Sequence, residues 1–102
     1  MTQYIIPLDN IPNQKFQIEL GEKVCLFEFI TRGLFLYMNL SIDGKEQMNG
    51  IICLNNVDLI QYKIINIGGR LYFTDTQGEL DPIYWGLNDR WLLVYEVIDD
   101  VQ

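Results

Sequence analysis

Four carboxylates close together in the sequence are the residues best suited to chemistry. They lie in the stretch 72–95, between two apolar runs, at Asp75, Glu79, Asp81 and Asp89. Carboxylate oxygens are ligands of Ca²⁺, but the spacing around Gly78 does not fit an EF-hand loop. A solvated turn, in which Asp and Gly serve the backbone geometry, is the favoured interpretation. We therefore expect no metal site.

The same carboxylates could offer an acid and a base for glycoside hydrolysis, which needs two carboxyl groups at a defined separation. Carboxylates exposed in turns are, however, the usual state of such residues. The sequence contains no histidine, so the usual proton shuttle near neutral pH is missing. Its glycines form no phosphate-binding pattern. The sequence predicts a protein that is not an enzyme and has no cofactor.

Aromatic residues in this stretch suggest binding. Tyr84, Trp85 and Trp91 could stack on sugar rings, as in a carbohydrate-binding module, or could contact a protein partner. Trp91 begins an apolar run and is expected in the core, whereas Trp85 lies between Pro82 and Gly86 and is the better contact candidate. Two functions stay open: assembly through protein contacts, and a small β-sandwich that binds carbohydrate.

Composition limits the partners. The 102 residues are 49% hydrophobic, which suits one folded domain with its own core. Fourteen acidic residues face seven basic ones, and no basic cluster occurs, so direct binding to nucleic acid is not expected. No apolar run is long enough to cross a membrane. We expect a single β domain over 1–102, with an extended arm at 1–14 and a frayed tail at 96–102.

The stretch 72–95 must be positioned by the β-strands of the rest of the chain. Residues 23–42 alternate in polarity on both sides of Arg32-Gly33, which predicts a β-hairpin with Thr31 opposite Leu34. One face of this hairpin should be core, since it collects Cys25, Phe27, Phe29, Leu36, Met38 and Leu40. The other face includes Phe35 and Tyr37 and is too apolar to meet water alone. A second layer of the same chain is the favoured cover, and another subunit is the alternative.

A meander follows from the next segments. Asp43-Gly44 predicts a turn, and residues 48–54 predict a third strand with a bulge at Gly50. In a meander Cys25 and Cys53 would lie two strands apart, too far for a disulfide, so both thiols should be reduced. Residues 55–67 fit a strand or a helical turn equally well.

The predicted fold is all-β: a small antiparallel β-sandwich or a partly open barrel, with at most one short helical turn. Residues 70–74 and 91–97 supply its last strands. The turns between strands are expected to be shaped by Gly33, Gly44, Gly78, Pro82 and Gly86.

Three pieces of sequence carry a resemblance to a known family. They are IIPL and IPNQ near the start, NGIICLNNVDLI in the middle, and LYFTDTQGELDPIYWGLNDRWLLVY towards the end. Together they resemble the small baseplate plug proteins of tailed bacteriophages and prophages, over nearly the whole chain. The matching positions of the last piece are Asp75, Thr76, Gln77, Gly78, Pro82, Gly86, Leu87 and Arg90.

The resemblance implies a structural protein of the virion tail, assembled in the host cytoplasm. Such a protein would sit at the centre of the baseplate and help to close the tube by contacts with tail hub and baseplate proteins. The resemblance implies no catalytic residue, and self-association stays open. The residues expected to make contacts, from their exposure or from the matched pattern, are Phe35, Tyr37, Asp75, Gln77, Tyr84, Trp85 and Arg90.

Overall fold

The computed structural model describes residues 2–60 and 67–97, which form two antiparallel β-sheets. The smaller sheet has the order β1-β7-β6 and the larger one the order β2-β3-β4-β5. One 3₁₀ turn, Tyr84–Gly86, is the helical part of the described residues. The strands are β1 Thr2–Ile6, β2 Asn13–Leu20, β3 Lys23–Arg32, β4 Phe35–Ile42, β5 Lys45–Ile52, β6 Gly69–Asp75 and β7 Trp91–Val97. The predicted all-β sandwich is confirmed, without closure into a barrel in this part of the chain.

The β3–β4 hairpin has the predicted faces but a different turn. Arg32 pairs with Phe35, so the turn is Gly33-Leu34 rather than Arg32-Gly33. Gly33 has a φ of 63°, as the first central position of a type II′ hairpin turn requires. Thr31 therefore lies opposite Leu36, two residues from the predicted partner. A shift of two residues keeps every side chain on its face, because the period of a strand is two.

The strand β5 contains the bulge that Gly50 predicts. Met38 lies opposite Ile51 and Leu40 opposite Met48, so β5 has one residue more than β4 between these pairs. Gly50 has a φ of 69°, and its N–H donates to the side-chain oxygen of Asn39 at 2.7 Å. This bulge interrupts the pairing at one edge of the larger sheet, which resumes with Met38 opposite Ile51 and Tyr37 opposite Ile52.

The core lies between the two sheets. Phe27 and Phe29 of β3 are fully buried, and the Phe29 ring meets Phe73 of β6 edge to face at 5.7 Å. Cys25 and Cys53 are both buried free thiols. Burial raises the pKa of the Cys53 thiol, so this side chain stays neutral and behaves as a small apolar group.

The outer face of the larger sheet differs from expectation. Val24 and Phe35 are 40% and 45% exposed there, and no described element packs over them. The favoured cover, a second layer of the same chain, is therefore absent from the described residues. The smaller sheet packs on the opposite face, where Phe29 contacts Phe73.

Described strands reach into the segments predicted as arm and tail. The predicted arm, 1–14, contains the strand β1, which pairs with β7. The strand β7 has the bounds predicted for the last strand, 91–97, so Glu96 and Val97, which the predicted tail also included, are paired, and Glu96 is only 5% exposed. Residues 98–102 of that tail lie outside the described residues. So do residues 61–66 of the ambiguous segment 55–67, whose described part forms one isolated bridge, between Asn55 and Phe73.

Candidate contact site

An ion pair fixes the loop 76–90, which joins β6 to β7. Asp75 ends β6 and Arg90 directly precedes β7. The Arg90 Nε donates to Asp75 Oδ1 at 2.8 Å, and Nη2 donates to Oδ2 at 2.8 Å. This two-point contact is the strongest geometry available to a carboxylate and a guanidinium. The Asp75 side chain is 0% exposed and that of Arg90 is 19% exposed, so the pair closes the base of the loop.

Asp75 also holds the first turn of the loop. Its two carboxylate oxygens accept the backbone N–H of Gln77 at 2.9 Å and that of Leu80 at 3.0 Å. The hydrogen bonds from Arg90, together with those from the two amides, hold the pKa of Asp75 well below its usual range. Asp75 therefore stays ionised, and every hydrogen bond it accepts shapes this loop.

Two glycines of the loop lie where an added side chain would meet close neighbours. A Cβ on Gly78 would lie 3.2 Å from Arg90 Nη2 and 3.4 Å from Asp75 Oδ2. A Cβ on Gly86 would lie 2.6 Å from Trp91 Cε3, closer than van der Waals contact allows. Both were predicted to shape turns, yet neither has a positive φ. Their role is to leave room for the ion pair and for the indole ring.

The loop packs against the side chain of Trp91. Trp91 is 0% exposed, and its Nε1 donates to the Leu80 carbonyl oxygen at 3.0 Å. The Arg90 guanidinium lies 4.6 Å from the centre of the Trp91 ring, and the Trp85 ring meets it edge to face at 5.2 Å. The predicted core position of Trp91 is confirmed. Because it is buried, Trp91 is not available to stack on a sugar.

Trp85 and Leu80 are exposed on the loop that packs against Trp91. Their exposed fractions are 55% and 57%, although the loop around them is tied by main-chain hydrogen bonds. Thr76 N donates to Arg90 O at 2.9 Å, and Asn88 N donates to Trp91 O at 2.8 Å. Two large apolar side chains are therefore presented to solvent on a well-anchored backbone. These two side chains are therefore candidates for contact with a partner.

The surroundings of these two side chains are acidic. Glu79 and Asp89 are exposed, and Asp81 is half-buried with its Oδ1 accepting the N–H of Asn55 at 2.9 Å. The basic residue of the loop, Arg90, is already paired with Asp75. The exposed apolar pair is thus bordered by negative charge, and we call Leu80, Trp85, Glu79 and Asp89 the loop surface.

The structure brings some of the predicted contact residues together and separates others. Tyr84 is half-buried, and Gln77 is exposed near the base of the loop. Phe35 and Tyr37 lie on the outer face of the larger sheet instead, with no hydrogen bond or ring contact to the loop among the described residues. Leu80 was not predicted. Its only sequence signal is that it is an isolated apolar residue among carboxylates, outside any alternating pattern.

Two of the four carboxylates, Asp75 and Asp81, are engaged in holding the backbone. Within residues 2–60 and 67–97, no three carboxylate or thiol side chains are gathered as a metal site would require. Asp75 and Asp81 both accept hydrogen bonds from loop or neighbouring amides.

No helix in the described part of the chain is long and apolar enough to span a membrane.

The fold and the loop define a small β-sandwich that presents one anchored aromatic loop. Over residues 3–98 the chain matches the family model described as "Cyanophage baseplate Pam3 plug gp18". It therefore belongs to this family of phage baseplate plug proteins, which makes it a structural component of the virion tail and confirms the resemblance of the sequence. A search of curated proteins found no match.

Proposed function

We propose that this chain is a plug that helps to close the central tube of a phage tail baseplate through protein contacts made by the loop surface. Membership of the plug family supports the location, and the exposed Trp85 on its anchored loop supports the mode of contact. The protein is assembled in the host cytoplasm and acts in the tail, without catalysis or a cofactor. Asp75 and Arg90 are positioning residues in this proposal, because their side chains are turned into the loop.

The anchoring of Trp85 explains why it would contribute strongly. Binding normally loses affinity when side chains and loops must be ordered. Here the ring is already held at its edge by Trp91, and the backbone is held by the ion pair below it. Tryptophan is also enriched among the few residues that dominate interface energies.

The charge of the loop surface indicates the kind of partner. Glu79 and Asp89 border the apolar pair, and the chain has a net charge of −7. A partner that surrounds an apolar socket with Lys or Arg would be attracted, and an acidic one repelled. We propose that the contacting surface on the tail hub or baseplate protein is basic.

The variant Trp85→Ala tests this function. Tail particles of the phage that encodes the chain are purified, and the amount of plug protein retained after washing is measured. We expect retention to fall on the order of tenfold or more, which corresponds to loss of a central interface residue. The thermal unfolding midpoint should change little, since the removed ring is more than half exposed.

Leu34→Ala is the matched control, because Leu34 is 75% exposed on the β3–β4 turn and outside the loop surface. It should be retained like the unmodified chain. Phe35→Ala tests separately whether the outer face of the larger sheet takes part. Normal retention of Trp85→Ala would contradict the proposed contact, and glycan binding that disappears in Trp85→Ala would favour a carbohydrate-binding module instead.

A further inference from the structure

The two long sides of the sandwich are built differently. On one side, residues 53–60 cross from the larger sheet to the smaller one. Cys53 N donates to Leu36 O at 2.8 Å, and further along Asn56 N donates to Phe73 O at 2.8 Å. Leu59 N then donates to Leu71 O at 2.7 Å. The outer edge of β6 is therefore covered, and this side is closed.

The opposite side is open. The strands β1 and β2 are edge strands of their sheets there, and a groove of about 580 Å³ lies between them. Its wall is largely apolar, with side chains from both edges: Tyr4, Ile6, Ile18, Leu20 and Val97. We call this the β1–β2 groove. Phe16 and Ile18 of β2 remain only half-buried beside it, although they point to the core side of the sheet.

The edge of β1 lacks the devices that normally protect an edge strand. Among the described residues β1 pairs with β7 on one side only, and its sequence, TQYII, contains no charge, no proline and no bulge. The neighbouring edge β2 carries exposed Lys15 and Glu19, and the far edge β5 carries a bulge and Lys45. Charges, prolines and bulges hinder the pairing of an edge with another chain. The unprotected edge is the one beside the groove.

We infer that an extended segment of another tail protein adds as a strand to the free edge of β1 and places alternate apolar side chains in the β1–β2 groove. The backbone of β1 would supply the hydrogen bonds, and the groove would select the side chains, as in other strand-addition complexes. This inference rests on the proposed function, which supplies tail proteins as the source of the segment.

Charge restricts the occupant further. Glu19 is the charged side chain among the described residues that line the groove, and the whole chain is strongly negative. A segment with Lys or Arg between its apolar residues is therefore complementary. A second copy of this chain is disfavoured, because two molecules of charge −7 would repel and would bring the same acidic groove together.

A titration of the isolated chain tests the inference. The ¹⁵N-labelled protein is titrated with a synthetic peptide of alternating Lys and Val, and amide shifts and amide hydrogen exchange are measured by NMR. We expect saturable shifts confined to β1, to β2 and to Val97, together with slower exchange of β1 amides. A matched peptide of alternating Glu and Val should have an affinity that is lower by about tenfold or more.

Variants locate the binding. Ile18→Lys and Tyr4→Lys both place a charge in the groove, and each should weaken binding on the order of tenfold. Tyr4 is 55% exposed, so its variant keeps the test valid if Ile18→Lys fails to fold. Leu34→Lys is the control, since it makes the same change of charge at a residue that is 75% exposed on the β3–β4 turn and does not line the groove. It should bind the peptide normally.

Three results would overturn the inference: absence of saturable shifts, shifts centred outside the groove, or equal binding of the acidic peptide. Shifts of β1 that depend on protein concentration alone would also overturn it, by assigning the groove to a second copy. The titration contains no tail particles, so its failure would leave the place of the protein in the baseplate intact. Absence of the unmodified protein from purified tails would instead count against the proposed function.

Discussion

Asp75 is the residue on which the loop surface depends most. Its carboxylate binds Arg90 at two points and accepts two backbone amides, while its side chain is completely excluded from solvent. Replacing one carboxylate oxygen by an amide nitrogen would remove the charge that pairs with Arg90 and, at the Oδ2 position, would set a donor against Arg90 Nη2 and the Leu80 N–H. The residue therefore acts on the display of Trp85 without itself forming a contact.

The variant Asp75→Asn should lower the thermal unfolding midpoint at pH 7, and the difference from the unmodified chain should depend on pH. The pKa of Asp75 is depressed in the folded state, whereas in the unfolded state it returns to about 3.9. The contribution of the carboxylate is therefore complete above the unfolded value and is lost as the pH falls towards the folded value.

Thermal unfolding of both proteins between neutral and strongly acid pH measures this effect. The gap between their midpoints should be constant above about pH 5 and should narrow below about pH 4. Glu79→Gln is the control, because Glu79 is an exposed carboxylate of the same loop. A gap that does not change with pH would show that the charge of Asp75 is not what stabilises the loop.

Sequence reasoning separated Trp85 from Trp91 correctly but did not assign the role of Asp75. The two tryptophans differ in local context, since Trp91 begins an apolar run and Trp85 lies in a loop with proline and glycine. The role of Asp75 depends on Arg90, fifteen residues further along the chain. No local pattern connects the two. Leu80 was missed because its exposure follows from the bond between its carbonyl and the Trp91 indole.

At the level of elements, the two-residue period of a strand predicted which side chains of β3 and β4 face the core. It predicted less well which residues pair across the hairpin. Alternation alone placed Phe27, Phe29 and Met38 on one buried face. The turn was placed one residue early because Arg32-Gly33 and Gly33-Leu34 both contain a glycine, and only the type II′ geometry requires it at the first central position. Pairing partners depend on this choice, whereas faces do not.

The segment 55–67 shows where local pattern fails. It was compatible with a strand or a helical turn, and its described part, 55–60 and 67, forms neither, apart from one bridge. Side chains hold it in place: Asn55 Oδ1 accepts the N–H of Asp75 at 2.9 Å, and Asp58 Oδ1 accepts that of Ile60 at 3.0 Å. Such contacts replace the regular ladder, so the path of this segment follows from tertiary structure.

The variant Asn55→Ala should weaken this closed side of the sandwich. It removes the acceptor of the Asp75 N–H but keeps the backbone bond between Asn55 N and Asp81. A partly buried donor left without a partner costs about 1–3 kcal/mol, so we expect a loss of that order in the free energy of unfolding. Urea unfolding measures it, and amide exchange at Asp75 should become faster.

Asn10→Ala serves as the control for this experiment, since Asn10 is exposed in the β1–β2 connection. Its free energy of unfolding should lie within about 0.5 kcal/mol of the unmodified chain. If Asn55→Ala were equally neutral, the side chain of Asn55 would not be needed to keep the segment against β6.

For the whole molecule, composition and strand periodicity predicted the all-β sandwich, but they did not predict which strands form each of its two sheets. The first strand pairs with the last one, with Thr2 opposite Val97. Contacts between the two ends of a chain leave no trace in local periodicity, so residues 1–14 and 96–102 were interpreted as arm and tail. The favoured cover of the outer face is absent from the described residues, because the smaller sheet packs on the other face.

This closure of the chain ends predicts cooperative unfolding of a single domain. The core residues form one cluster that includes side chains of both sheets, and Phe29 and Phe73 connect them directly. Neither sheet can unfold without exposing the apolar face of the other to solvent. Small domains with one such core usually unfold in a single two-state transition.

Two probes test this cooperativity. Tryptophan fluorescence reports on the surroundings of Trp91 at the start of β7, whereas far-ultraviolet circular dichroism reports on the strands of both sheets. Thermal unfolding should give the same midpoint for both, and the calorimetric enthalpy should equal the van't Hoff enthalpy. The variant Trp85→Ala isolates the signal of Trp91, because it removes the other tryptophan from an exposed position. An earlier fluorescence midpoint would mean that the smaller sheet and its loop unfold separately, and the anchored display of Trp85 would then be lost before the larger sheet melts.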